Sequence, residues 1–173
     1  MNKDLLSSVE KNIELQAAGL LTLTREEFAF AEARGEIAKQ KLADRLRACL
    51  GFTLELQVAT LGWLKIKVVQ VSNDHLVAST ESNSYLIRFS SLVAVRGLTK
   101  SNKTPNKIDN SWRLNSSLRQ WMIDKATVII YLKGEATYTG QIKKIFQDHF
   151  ELSTDIGVLV FSESALLIAV KVG

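Results

Sequence analysis

The spacing of the hydrophobic residues changes at Gly51, and this change constrains the fold more than any other feature of the chain. Up to that glycine, apolar residues recur every three or four positions, which is the spacing of one helix face. Beyond it they alternate with polar residues, as in Phe52–Val58 and Leu64–Val68. Alternation places the apolar side chains of a strand on one face. The sequence therefore predicts a helical N-terminus followed by half-buried strands.

The helical part is predicted to cover residues 1–45, as a helical hairpin or one long helix. Its first stripe comprises Leu6, Val9, Ile13, Ala17 and Leu20. Thr24 and Glu27 have the spacing of a capping box, so a second helix is expected to begin there and to run to Gly51. Cys49 lies on the apolar stripe of that helix and is expected in the core rather than as a nucleophile. The helices either pack on the strands or mediate dimerisation, and both alternatives stay open.

The strands are predicted to form two sets of five in the same order. Asp74-His75-Leu76 corresponds to Asp148-His149-Phe150, and Val93-Ala94-Val95 corresponds to Ile168-Ala169-Val170, at separations of about 74 residues. Such a repeat at a fixed period indicates an internal duplication. The apolar phase of the strands also predicts a set of buried residues, namely Leu56, Val68, Leu76, Ile130, Ile142 and Phe150.

The segment 99–117 is predicted to be a basic linker. It holds four of the basic side chains against one acidic side chain, together with Pro105, in a chain of net charge +4 and pI near 9.2. It lacks hydrophobic periodicity until Trp112 and cannot bury enough apolar area to offset its ordering entropy. A solvated linker is the first interpretation, and contact with nucleic acid is the alternative.

Several classes of function are excluded by what the sequence lacks. No run of about 18 apolar residues occurs, which argues against a membrane span, and the first residues do not resemble a secretory signal. A cytoplasmic protein is therefore expected. His75 and His149 each follow an aspartate, but neighbours in a strand point to opposite faces, so the pairs are not expected to meet. No catalytic residue, metal ligand or cofactor is predicted, and the chain is expected not to be an enzyme.

Two segments carry a resemblance to a known family. Residues 140–152, with Gly140 and the turn acid Asp148, resemble the first motif of Sm-like small β-barrels, and residues 86–95, with Arg88, resemble the second. At a finer level, 42–51 and 93–98 are similar to an uncharacterised actinobacterial family sometimes called Fis-type transcriptional regulators. The resemblance implies an α+β bacterial protein, in which a helical segment precedes two Sm-like five-stranded barrels, over 46–98 and 118–173.

Two functions follow as expectations. The first is a non-enzymatic binding or scaffold protein, which contacts a protein partner or itself through its helices or strand edges. The second is a nucleic-acid-binding protein that acts on DNA or RNA in transcription regulation or RNA handling, in which two lysine pairs occupy similar positions on matching strands. Its candidate contacts are Lys65, Lys67, Arg88, Lys100, Lys103, Lys107, Lys143 and Lys144.

Overall fold

The fold is known from a computed structural model, which describes residues 41–98 and 113–173. Leu42–Gly173 form one compact unit. Its first half comprises α1 (Leu42–Arg47), β1 (Thr53–Val58), β2 (Gly62–Val71), β3 (His75–Ser79), β4 (Asn83–Arg88), a 3-10 turn (Phe89–Ser91) and β5 (Leu92–Arg96). Its second half comprises α2 (Leu114–Ile123), β6 (Thr127–Leu132), β7 (Thr137–Ile145), β8 (His149–Thr154), β9 (Gly157–Ser162), a 3-10 turn (Glu163–Ala165) and β10 (Leu166–Val172).

The ten strands form one continuous antiparallel sheet in the order β5-β1-β2-β3-β4-β10-β6-β7-β8-β9. The prediction of a helical segment followed by two separate five-stranded barrels is therefore wrong. The halves are joined because β4 pairs with β10, with Ile87 opposite Ile168 and Tyr85 opposite Val170. We call this pairing the internal junction. Residues 1–40, which hold most of the predicted helices, lie outside the described residues.

The internal junction follows from the composition of β10. Leu166–Val170 is an uninterrupted apolar run, and Ile168, Ala169 and Val170 are all buried. A run without alternation is typical of a strand that is covered on both faces. Because β10 lies between β4 and β6, it can bury one face against each half of the molecule.

Each half of the sheet has its own hydrophobic core, but the two cores exchange residues across the internal junction. Ile168 and Val170 of the second half pack in the first core, while Leu86 of the first half packs in the second core. The predicted core is confirmed, since every one of its members is buried, namely Leu56, Val68, Leu76, Ile130, Ile142 and Phe150. Cys49 is also buried in the first core, as expected.

The two helices differ in what they contribute. In α1, the apolar Leu46 is fully buried, and the helix ends at Arg47 rather than at the predicted Gly51. In α2, Leu118 and Trp121 are buried in the second core. Leu114 begins this helix, so residues 114–117 form its first turn although the sequence placed them in the linker.

Gly140 on β7 marks a close approach between two strands. A Cβ at this position would overlap the carbonyl group of Ser153 on β8, so only glycine lets the two backbones come together there. This is the glycine on which the first motif of the resemblance depends. The structure gives it a purely steric role.

Candidate binding sites

One side of β9 presents exposed apolar residues at the end of the sheet. Val158 and Val160 are 58% and 64% exposed, and Ile156 in the preceding turn is also exposed. Leu159 and Phe161, which alternate with these valines along the strand, are half-buried, and the centre of the Phe161 ring lies 5.0 Å from that of Tyr138. Within the described residues β9 pairs only with β8, so its other backbone edge is unpaired. We call this surface the β9 edge.

The internal junction shows what covers the equivalent surface elsewhere in the molecule. Val160 lies opposite Glu151, the third residue of β8, and Leu86 lies opposite Val77, the third residue of β3. The two residues therefore hold the same position in their halves. Leu86 is completely buried because β10 and its core cover it, whereas Val160 is exposed to solvent.

The opposite end of the sheet is formed by β5, whose exposed side we call the β5 edge. In the described ranges β5 pairs only with β1. Val93 is exposed, and Arg96 lies with its guanidinium 4.7 Å from the centre of the Trp63 ring. Arg96 also donates a hydrogen bond of 2.8 Å to Glu55. The apolar stem of this arginine thus stays close to the sheet.

Arg88, one of the predicted nucleic-acid contacts, connects the two halves and is largely buried. Its side chain is only 17% exposed, and its Nη2 donates to Oε1 of Glu163 at 3.0 Å and to the backbone oxygen of the same residue at 3.2 Å. Asp74 lies 3.6 Å from Nη1. Carboxylates on both sides already compensate the charge, so Arg88 stabilises the internal junction.

A second surface is a polar cavity of about 610 Å³ that includes one of the predicted lysine pairs. Lys65 and Lys67 lie two residues apart on β2, and both are exposed. Lys67 is flanked by Thr53 on β1 and Ser79 on β3. Neither lysine forms an ion pair within the described part of the chain. We call this surface the lysine cavity, and Thr80, Glu81 and Ser82 complete its polar lining.

The second lysine pair does not occupy the equivalent position, so the predicted match between the pairs is wrong. Lys67 lies opposite Thr53, but the residue opposite Thr127 in the second half is Gln141. Lys143 and Lys144 instead lie at an irregularity in the pairing of β7 with β8. Lys144 is 3.8 Å from the carboxylate of Glu151. The candidates Lys100, Lys103 and Lys107 lie outside the described residues.

Both aspartate–histidine pairs do meet, contrary to the prediction. Nδ1 of His75 is 2.8 Å from Asp74, and Nδ1 of His149 is 2.7 Å from Asp148. The rule of opposite faces fails because each aspartate precedes its strand and belongs to a turn. The hydrogen bond from His149 lowers the pKa of Asp148 below its ordinary value.

The two histidines differ in their surroundings. His75 is 1% exposed, so its ring cannot reach a substrate in solution. His149 is stacked on Phe146, with 4.3 Å between the ring centres. Within residues 41–98 and 113–173, no three His, Cys, Asp or Glu side chains are grouped as metal ligands.

The valines of the β9 edge were missed by the sequence reasoning. A signal was present, because Val158-Leu159-Val160-Phe161 is apolar at four consecutive positions although one face of this strand is exposed. An apolar run of this kind predicts a strand with both faces covered. Here one face lacks a cover among the described residues.

Neither helix of the described ranges is long and apolar enough to cross a membrane. Comparison with protein-family models and with curated proteins gave no match. The resemblance to Sm-like proteins and to the actinobacterial family, like the internal duplication, therefore stays a prediction.

Proposed function

We propose that this chain is a non-enzymatic cytoplasmic scaffold that binds a protein partner through its β9 edge. The observation that carries the proposal is the contrast between Leu86 and Val160, which hold the same position but are 0% and 64% exposed. A strand added beside β9 would cover Val160 as β10 covers Leu86. Its backbone would also pair with the unpaired N–H and C=O groups of β9, which is the principle of β-augmentation.

The composition of β9 supports this proposal. Edge strands are usually protected from pairing by charged residues, proline or a bulge. Gly157–Ser162 has no charged residue and no proline, and its pairing with β8 is regular. The strand thus lacks the usual features that prevent a second strand from docking.

The test is site-specific photocrosslinking in cells of the source organism. A photoreactive amino acid is placed at Val160, and for the control at Thr139, which is exposed on β7 inside the sheet. We expect protein adducts from position 160 and none from position 139. Equal labelling at both positions, or the absence of protein adducts at position 160, would contradict the proposal.

Nucleic-acid binding is the second candidate, and the lysine cavity is the observation that favours it. Two lysines without carboxylate partners among the described residues stand beside hydroxyl groups of Thr53 and Ser79. Ammonium and hydroxyl groups together are suited to bind phosphate oxygens, and neutralising phosphates releases counterions. The proposed role is in transcription regulation or RNA handling.

Electrophoretic mobility shifts at two salt concentrations test this second function. Replacing Lys65 and Lys67 with glutamine should weaken binding and flatten the dependence of affinity on salt, by about 0.9 per lost duplex contact or about 0.7 for a single strand. The matched control replaces Lys143 and Lys144, which lie outside the cavity. If both double variants bind alike, or the parent chain binds no DNA or RNA at low salt, the cavity is not a nucleic-acid site.

A further inference from the structure

We propose that the occupant of the β9 edge is the β5 edge of a second copy of this chain, bound in a head-to-tail arrangement that repeats the internal junction. This inference rests on the proposed function, because it names the partner of the same surface.

The registers show that β5 and β9 hold the same places as the two strands of the internal junction. On one side, β5 pairs with β1 in the same register as β10 pairs with β6, since Leu56 lies opposite Val95 and Ile130 lies opposite Ala169. On the other side, β9 pairs with β8 in the same register as β4 pairs with β3. The molecule therefore has the two complementary edges of its own junction at its two ends.

Transferring the register of the internal junction gives specific contacts between copies. Ile87 opposite Ile168 and Leu86 opposite Ala169 are the observed pairs. The corresponding pairs between copies are Phe161 with Ala94, Val160 with Val95, and Leu159 with Arg96. All three pairs bring an apolar side chain of β9 against a side chain that is apolar or has an apolar stem.

The faces of the strands agree with this register. At the internal junction Leu86 enters the core of the second half, while Ile168 enters the core of the first half. In the same way Val160 would enter the first core of the neighbouring copy, beside Val95, which already packs against that core. Ala94 of that neighbouring copy would contact Phe161, which packs against the second core of the first copy.

The junction between copies is expected to be weaker than the internal one. Ser162 stands opposite His149 where Arg88 stands opposite His75, so the ion pair with Glu163 has no counterpart. Ala94 also takes the place of the larger Ile168. Assembly should therefore be reversible and depend on protein concentration. A head-to-tail contact of this kind produces a ring if the rotation closes and a filament if it does not.

Two blocking variants and their mixture test the proposal by sedimentation velocity and light scattering on the full chain of 19.3 kDa. Val160→Lys blocks the β9 edge, and Ala94→Lys blocks the β5 edge on the face that points away from its own core. Val69→Lys is the matched control, since Val69 is 55% exposed on β2 inside the sheet. Circular dichroism of each variant establishes that it folds.

We expect the parent chain and the Val69→Lys control to form species larger than a dimer, whereas each blocked variant is a monomer. An equimolar mixture of the two blocked variants should form a heterodimer of twice the chain mass and nothing larger, because only one intact pair of edges remains. The crosslinked product from position 160 should contain residues 92–98 of a second copy of this chain.

Four results would overturn the proposal. A parent chain that stays monomeric at high concentration has no self-assembly. An Ala94→Lys variant that dimerises, while Val160→Lys does not, indicates a symmetric contact of two β9 edges. Position-160 adducts that contain only other proteins assign the edge to a different partner and leave the scaffold function standing, whereas no adducts at all would refute that function as well.

Discussion

Replacing Leu86 with alanine should weaken the whole sheet, although the residue belongs to the first half by sequence. Leu86 is fully buried and packs in the second core with Leu118 and Ile130. Burying the three carbon atoms that alanine lacks is worth about 2.4 kcal/mol at about 0.8 kcal/mol per methylene group, and the cavity that remains adds to this loss. The free energy of unfolding should therefore fall by about 2–5 kcal/mol.

Urea denaturation followed by tryptophan fluorescence measures this effect in both halves. Trp63 belongs to the first half, and Trp121 is buried in the second core. With a urea dependence of about 2 kcal/mol per molar, the midpoint should decrease by about 1–2.5 M. A single transition with the same shift is expected in variants that keep only Trp63 or only Trp121 of the three tryptophans, because the two cores share residues across the internal junction.

Val160→Ala is the matched control for this experiment. It truncates the residue that holds the same strand position but is exposed, so the stability should change by less than about 0.5 kcal/mol. Two separate transitions, or a shift of the Leu86→Ala variant no larger than that of the control, would show that the halves fold independently and that the internal junction is not part of the core.

Three further outcomes are expected. Gly140→Ala should lower the melting temperature, by an amount equivalent to about 1–3 kcal/mol, because its Cβ has no room against the β8 backbone; an unchanged melt would refute the close approach. A double-mutant cycle of Arg88→Met and Glu163→Gln should give a coupling energy of about 0.5–3 kcal/mol, whereas additive effects would show that the ion pair does not hold the halves together. The hydrogen bond from Lys171 lowers the pKa of Asp124 below 3.8. The stabilisation that the ionised Asp124 gives to the fold is therefore present above that pH and is lost as the pH falls through the lowered pKa. Asp124→Asn should flatten the acid limb of a stability–pH curve, and an unaltered limb would contradict this.

The sequence predicted local structure well because alternation is a local property. Val68 and Ile142 were placed in the core from their phase alone, and both are buried. The same reasoning could not show which strands are neighbours, because strands pair through backbone N–H and C=O groups, which do not depend on the side chain. The pairing of β4 with β10 joins residues about 80 positions apart, and only the continuous apolar run of Leu166–Val170 hinted that this strand is covered on both faces.

The candidate site was harder to predict than the core because it depends on what lies beside a residue rather than on the residue itself. Arg88 and Lys67 are both cations on strands, yet one is enclosed by carboxylates and the other is exposed beside hydroxyl groups. Leu86 and Val160 are both apolar and hold the same strand position, yet only one has a neighbour. Sequence patterns do not distinguish these environments.

The position of β10 has a consequence for the order in which the sheet can form during synthesis. This strand follows the other nine in sequence but lies between β4 and β6, near the centre of the sheet. A ribosome therefore completes the two flanking groups of strands before the one that joins them, and until residues 166–172 emerge, Leu86 has no core to enter. Such long-range contacts slow folding and leave unpaired edges that aggregate. We expect the nascent chain, rather than the finished protein, to depend most on chaperones, with β4 and β6 as the edges that they must shield.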